Sequence, residues 1–311
     1  MLQQTRASVV VPYFLRWMEQ FPTMEALASA SEEQVIKAWE GLGYYSRVRG
    51  ALKAARDIVD RFGGTLPQTK EQLRSLPGFG PYTVGACLSF AYQQNAPAID
   101  GNVTRVVTRL ALIETCTSLA KTKRAIEEAV RHHLDADSQP WVVMEALIEL
   151  GATICQTKPQ CGLCPIADGC KAKSAGKVSN VPWKAERPEV TVLHRHVAII
   201  EEQGKVWVRK GDSGRIMAGL YEFPYVESPF EHQSHKEIAR ALHLGPVTLI
   251  RRLASQVHHF TRYKAFLYPV WLKANASLAG YEQVPIEALR ALPFSSGHRR
   301  VMEAVVCAFC T

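Results

Sequence analysis

Apolar and polar positions recur at helical spacing through the first half of the chain, and strand-like alternation begins only near residue 190. Residues 1–62 read as helix. Within them, SEEQVIKAWEGLGYYSRVRGALKAARDIVDRFGG opens on a capping-box pattern, Ser31 to Gln34. The pattern breaks at Gly41 and Gly43, resumes at helical spacing, and stops at Gly63–Gly64. TKEQLRSL offers a second Thr-x-x-Gln start, followed by the hairpin PGFG and then PYTVGACLSFAY. Further helices are expected around 122–134 and 140–155, and no strand before residue 180. KAKSAGKVSNVPWKAERPEV is polar and basic, carries Pro182 and Pro188, and reads as a linker. Beyond it, VTVLHRHVAII and KVWVRK flank the hairpin signal EEQG. HKEIARALHL gives a short helix, VTLIRRL and YKAFLYPVWLKA give strands, and PIEALRAL and GHRRVMEAVVCAF give helices. The pattern predicts an α domain over residues 1–176, a linker over 177–190 and an α+β domain over 191–311.

Composition adds bounds. The chain has 311 residues, 47% hydrophobic and 21% charged, which suits a globular protein of two domains. No apolar run approaches membrane-spanning length, and the first residues lack a secretory pattern. The expectation is a cytoplasmic protein with no membrane partner. A net charge of +8 favours a polyanionic partner, nucleic acid above all.

Four of the eight cysteines lie between 155 and 170. Cys155, Cys161, Cys164 and Cys170 are spaced C-x5-C-x2-C-x5-C, a four-ligand metal pattern in a chain without an export signal. Zinc and an iron–sulfur cluster both take four thiolates. The single C-x2-C pair, where many zinc sites have two, leans toward a cluster. Cys87, Cys116, Cys307 and Cys310 stand in apolar surroundings and read as buried, inert thiols.

LPGFGPYT (76–83) joins two helices. Gly78 and Gly80 permit a tight turn and close backbone approach, which suits a DNA phosphate without side-chain readout. AIDGNVTRV follows, with Asp100 at a helix start; taken alone it is an ordinary N-cap.

Taken in order, LPGFGPYT, AIDGNVTRV and the four-cysteine run resemble the helix–hairpin–helix DNA glycosylases that carry a [4Fe–4S] cluster. Within that superfamily LQQTR (2–6), GLGYYSR (41–47) and PYTVGA (81–86) resemble the adenine DNA glycosylases, the MutY family. The resemblance spans essentially the whole chain. It implies a mainly α helix–hairpin–helix glycosylase domain with a cluster subdomain, then an α+β Nudix-like domain. It implies base excision repair: a monomer that removes adenine opposite 8-oxoguanine, or guanine, in double-stranded DNA.

Site roles are likewise implied by the resemblance. Gln4 would fill the space left by the flipped adenine, with Thr5 on the strand nearby. Leu42 and Tyr44 would wedge beside the 8-oxoguanine. Asp100 would stabilise the sugar cation, oriented with Asn102. Tyr82 stands where the endonuclease III branch has a Schiff-base lysine, which implies a glycosylase without lyase activity. The family's catalytic glutamate precedes the LQQT segment and would fall just before Met1. As numbered, the chain is expected to be nearly inactive, with a start mis-assigned or a gene truncated; a lesion-binding product without activity and an endonuclease III-like lyase are the rivals. The family's first cysteine gap is six residues, against five here. GRIMAGLYEFP (214–224) resembles the opening of the family's Nudix-like domain, without the acidic metal-binding helix of true Nudix hydrolases. Phe260, Thr261 and Arg262 match its lesion-recognising Phe-Ser-His loop.

Overall fold

The structure is a computed structural model and describes residues 1–311 except Gln4, residues 187–188, 213–216 and 310–311. By packing, the chain forms two compact units, Met1–Leu52 with Pro188–Thr311, and Lys53–Arg187. This grouping differs from the order-along-the-chain division into 1–176, 177–190 and 191–311. The reason lies in the first unit's own contacts, described below.

Helices α1 (Ala7–Gln20), α2 (Met24–Ser29), α3 (Glu32–Trp39) and α4 (Ser46–Phe62) come first. The start of α3 is the expected reciprocal cap: Gln34 N–H donates to Ser31 Oγ at 3.2 Å, and Ser31 N–H to Gln34 Oε1 at 2.9 Å. In the second unit follow α5 (Lys70–Arg74), α6 (Pro81–Ala86, continued by a π-helical turn Cys87–Ala91), α7 (Gly101–Ala111), α8 (Ala120–Asp135), α9 (Pro140–Thr153) and α10 (Lys171–Ser174). Val103, Val106 and Val107 of α7 meet Ile126 and Val130 of α8 and Met144 and Leu147 of α9 in one apolar cluster. Among the described residues no strand precedes Thr191.

The remainder of the first unit holds β1 (Thr191–Glu202), β2 (Lys205–Lys210), β3 (Tyr221–Glu222), β4 (Tyr225–Ser228), α11 (His235–Ala241), β5 (Thr248–Arg252), β6 (Gln256–Phe260), β7 (Tyr263–Lys273), β8 (Glu282–Pro285) and α12 (Ser296–Phe309). PIEALRAL forms a 3-10 helix, Ile286–Ala291, because Pro285 and Pro293 leave too short a stretch for an α-helical run. The sheet order is β3-β2-β1-β7-β5, with β4 on β1, β6 on β7 and β8 on β2. β1 and β7 pair in parallel at the centre. Such a pair is covered on both faces, which explains the continuous apolar run Val197–Ile200. Val197 and Ile199 face Val301 and Val305 of α12, while Ala198 and Ile200 face Ile238 of α11.

α3 belongs to this unit through specific contacts. Leu220 completes the cluster of Ile36, Trp39 and Leu42. Phe294 N–H donates to Glu40 Oε1 at 2.9 Å, Lys37 Nζ to Leu292 O at 2.9 Å, and the Arg49 guanidinium to Ala218 O.

Two histidines are buried, His298 in α12 and His258 in β6. Phe223 N–H donates to His298 Nδ1 at 3.1 Å, so that nitrogen carries no proton. Burial, then the charges of Arg195, His258 and Arg209, pushes the His298 pKa down to about 3. Burial, then Arg300, Arg195 and His259, pushes His258 down to about 4. Both values lie below the ordinary 6.5, so on acidification the unfolded chain binds protons first. The stability of the neutral rings is complete above about pH 6.5 and is lost as pH falls toward 3–4. At about 1.4 kcal/mol per pKa unit, His298 alone removes about 2 kcal/mol by pH 5. Urea denaturation at pH 7 and pH 5 checks this; equal stabilities at the two pH values would contradict it.

Candidate functional site

Asp100 caps α7. Its Oδ1 accepts from the N–H groups of Asn102 and Val103, both at 2.8 Å, and its Oδ2 accepts from Asn102 Nδ2 at 2.9 Å. The ordinary cap and the candidate catalytic carboxylate are one and the same group. Three donors fix its orientation. Tyr82, in the first turn of α6, is half-buried, and burial followed by the charge of Asp100 raises its phenol pKa. A cavity of about 520 Å³ opens beside Tyr82, bordered by Lys70, Arg74, Asn95 and Arg131.

Asn102 is held in turn by Arg105, a residue that sequence reasoning did not single out. Arg105 Nη2 donates to Asn102 Oδ1 at 2.8 Å and to Gly151 O at 2.7 Å, and Nε donates to Cys155 O at 2.7 Å. This reach needs α9 pressed against α7. A Cβ on Gly151 would lie 2.6 Å from Asn102 Cβ and 2.9 Å from Asn102 O, so only glycine fits there.

The four clustered cysteines line one small cavity of about 30 Å³ with Arg109, Ile154 and Val178. Arg109, one turn beyond Arg105, is 3% exposed. Its Nε donates to Val178 O and Val181 O at 3.0 Å, Nη1 to Gln156 O at 2.7 Å and to Cys155 Sγ at 3.3 Å, and Nη2 to Thr157 O at 3.4 Å. Cys170 Sγ–H donates to Arg109 O at 3.6 Å. Among the described residues no three Cys, His, Asp or Glu side chains gather tightly enough for a single metal ion. A mononuclear zinc needs all four sulfurs within about 2.3 Å of one point. A cluster takes each cysteine on a different iron, and four thiols spread around one cavity wall fit such a group. Of the other cysteines, Cys116 is buried and Cys87 half-buried, whereas Cys307 is exposed, and Cys310 lies outside the described residues.

The hairpin forms as expected. Gly78 has φ +78°, a left-handed position that glycine adopts without strain. Gly80 caps α6 at φ −78°, so backbone conformation does not demand glycine there; a Cβ on it would meet open space.

In the other unit, Gln4 lies outside the described residues, and Thr5 is half-buried next to it. Leu42 is 6% exposed and packed in the α3 cluster, because an aliphatic side chain there completes the core of Ile36 and Trp39. Tyr44 is 56% exposed at φ +49°. Phe260 ends β6 and Tyr263 starts β7, so Thr261 and Arg262 form the tip of a β-hairpin rather than a loop. Thr261 has φ +48°, uncommon for a β-branched residue and a mark of local strain. The Phe260 ring packs on Tyr263 at 5.4 Å and under Arg195 at 5.5 Å. Together with Tyr225, Arg209 and Glu222 they border a cavity of about 590 Å³. Glu222 is committed to Arg209 at 2.6 Å.

Residues 1–132 match the family model described as HhH-GPD superfamily base excision DNA repair protein, and residues 196–304 match the NUDIX domain. The chain is 33% identical to the adenine DNA glycosylase of Mus musculus, over 85% of this chain and 61% of that protein. It is 31% identical to that of Rattus norvegicus, over 97% and 69%. It is 32% identical to that of Homo sapiens, over 85% and 58%. It thus spans between 58% and 69% of these relatives' lengths. Among the described residues no helix is long and apolar enough to cross a membrane.

Proposed function

As the chain belongs to the adenine DNA glycosylase family, we propose that it is a monofunctional enzyme of base excision repair, hydrolysing the N-glycosidic bond of adenine mispaired with 8-oxoguanine or guanine in double-stranded DNA. The observation that carries this is the Asp100 carboxylate, held by three N–H donors at the start of α7 and close to a phenol rather than an amine.

The target nucleotide leaves the stack, since its C1′–N bond is unreachable inside a duplex. Adenine takes a proton at N7, which the resemblance assigns to the glutamate that the family carries ahead of its LQQT segment, and departs with the bonding electron pair; C1′ gains oxocarbenium character, and Asp100 stabilises it electrostatically. Water then supplies hydroxide to C1′ and releases a proton, leaving an abasic site. Asn102 keeps Oδ2 in place. Tyr82 cannot form a Schiff base, so the strand stays intact. The Gly78–Gly80 hairpin contacts phosphate. Gln4 and Thr5 act beside the flipped adenine. Tyr44 wedges next to the 8-oxoguanine with Leu42 packed beneath, and Phe260, Thr261 and Arg262 recognise that base. Arg262 replaces the imidazole of the family's loop with a fixed cation.

Incubating the protein with duplex containing adenine opposite 8-oxoguanine is expected to release free adenine; protein in which no glutamate precedes the LQQT segment is expected to do so about 10²–10⁴-fold more slowly. Borohydride added to a reaction on abasic duplex is expected to trap essentially no covalent complex. Strong trapping would overturn the monofunctional reading.

Cys155, Cys161, Cys164 and Cys170 would hold a [4Fe–4S] cluster, which supplies structural order and a DNA-contacting surface, with scope for redox sensing. Their spread around one cavity, and the Arg109 donor at Cys155 Sγ, support this. Anaerobically purified protein is expected to be brown, with iron and sulfide; a colourless, zinc-containing sample would refute it.

A further inference from the structure

The GLGYYSR stretch ends on Arg47, to which the proposed reaction assigns no role. Its side chain brackets two segments some 40 residues apart in sequence. Nη1 donates to the carbonyl of Gln3, the residue before Gln4. Nη2 donates to Gly43 O at 3.3 Å and Leu42 O at 3.5 Å. The guanidinium lies 5.0 Å from the Tyr44 ring centroid and 5.5 Å from that of Trp39. Trp39 Nε1 donates to Gly43 O at 3.0 Å, so the same carbonyl is gripped twice. No carboxylate pairs with Arg47 among the described residues, and its Nε is buried without an acceptor there. A cation with a buried, unsatisfied donor is a poor choice for stability alone.

We infer that Arg47 is a positioning residue, which fixes the Gln3 backbone relative to the exposed Tyr44, so that the residue following Gln3 and the Tyr44 ring enter the two strands at a set separation. The inference rests on the proposed glycosylase function. Unstacking a base pair needs the plug on one strand and the aromatic on the other to act at a set separation. Neither segment can supply that alone: Tyr44 sits in a glycine-flanked turn, and Gln3 precedes the first helix. The planar fork of an arginine can hold two carbonyl groups and an aromatic face together. A lysine, a point charge, cannot.

The test uses the 311-residue chain and a duplex with adenine opposite 8-oxoguanine and 2-aminopurine next to that adenine, whose fluorescence rises on unstacking. Wild type is expected to give a rise absent on undamaged duplex. Arg47→Lys keeps the charge and is expected to lower that rise about tenfold, with binding to undamaged duplex within about twofold. Tyr44→Ala is expected to lower it similarly, and the double variant no further, since both act through one wedge. A full rise with Arg47→Lys, or additive losses in the double variant, overturns the inference alone. No lesion-dependent rise in wild type overturns the glycosylase reading and this inference with it. Should Arg47→Lys fail to melt cooperatively, lesion-dependent unstacking that survives intact in the folded Arg47→Gln variant overturns it equally.

Discussion

Asp100→Asn lowers single-turnover adenine excision by about 10²–10³-fold while the protein still folds. Asparagine retains an oxygen able to accept from the Asn102 and Val103 N–H groups, so the cap of α7 survives in large part. What disappears is the negative charge that the sugar cation needs. The new amide also confronts Asn102 Nδ2, donor against donor, and Asn102 cannot turn freely because Arg105 holds its Oδ1. Asp100→Ala loses the cap as well and is expected to cost about 1 kcal/mol more in stability. Excision rates on duplex containing adenine opposite 8-oxoguanine, beside thermal melts, separate the two effects. A rate for Asp100→Asn within a few-fold of wild type would remove this carboxylate from the mechanism.

Arg109→Met is expected to lower the stability of the Lys53–Arg187 unit by about 3–5 kcal/mol and to remove the visible absorption of the proposed cluster. Methionine fills much the same volume, so the loss is polar. Four carbonyls, of Val178, Val181, Gln156 and Thr157, lose a donor, the Val181 contact being buried and the others partly so, and Cys155 Sγ loses its own. These groups lie just after the first cysteine of the run and beyond its last, so the loop opens from both ends. The melting temperature is expected to fall by roughly 10–20 °C. Arg109→Lys recovers little, since one ammonium cannot reach acceptors spread over a fork. A variant melting within about 2 °C of wild type, with its colour intact, would contradict the assignment of Arg109 as the clamp of this loop.

Those two arginines mark where sequence reasoning stopped. The cysteine spacing, the glycine hairpin and Asp100 before α7 were legible because each is written locally: ligand spacing, a positive φ, a cap. The caps of α3 and α7 could be read letter by letter. Arg105 and Arg109 stand at i and i+4 on the polar side of α7, which normally means a solvated face. Their burial depends on α9 and the cysteine loop folding back over them, and no spacing rule records that. Leu42 packs against Ile36 and Trp39, a burial that its place in the GLGYY stretch does not announce. β6 was missed because QVHHF carries two histidines; its strand character comes from pairing with β7, not from propensity. The association of α3 with Leu220 and Phe294 is a long-range contact of the same kind.

The contact between Gly151 and Asn102 bears on the order in which the site assembles. Until α9 docks, Arg105 lacks the carbonyls of Gly151 and Cys155, Asn102 lacks its restraint, and Asp100 is an ordinary frayed cap. The fully restrained carboxylate and the docked end of α9 at Cys155 therefore form together. Amide protons of Asn102, Val103 and Cys155 should exchange with solvent through one common opening, so that no half-built version of this centre persists in solution.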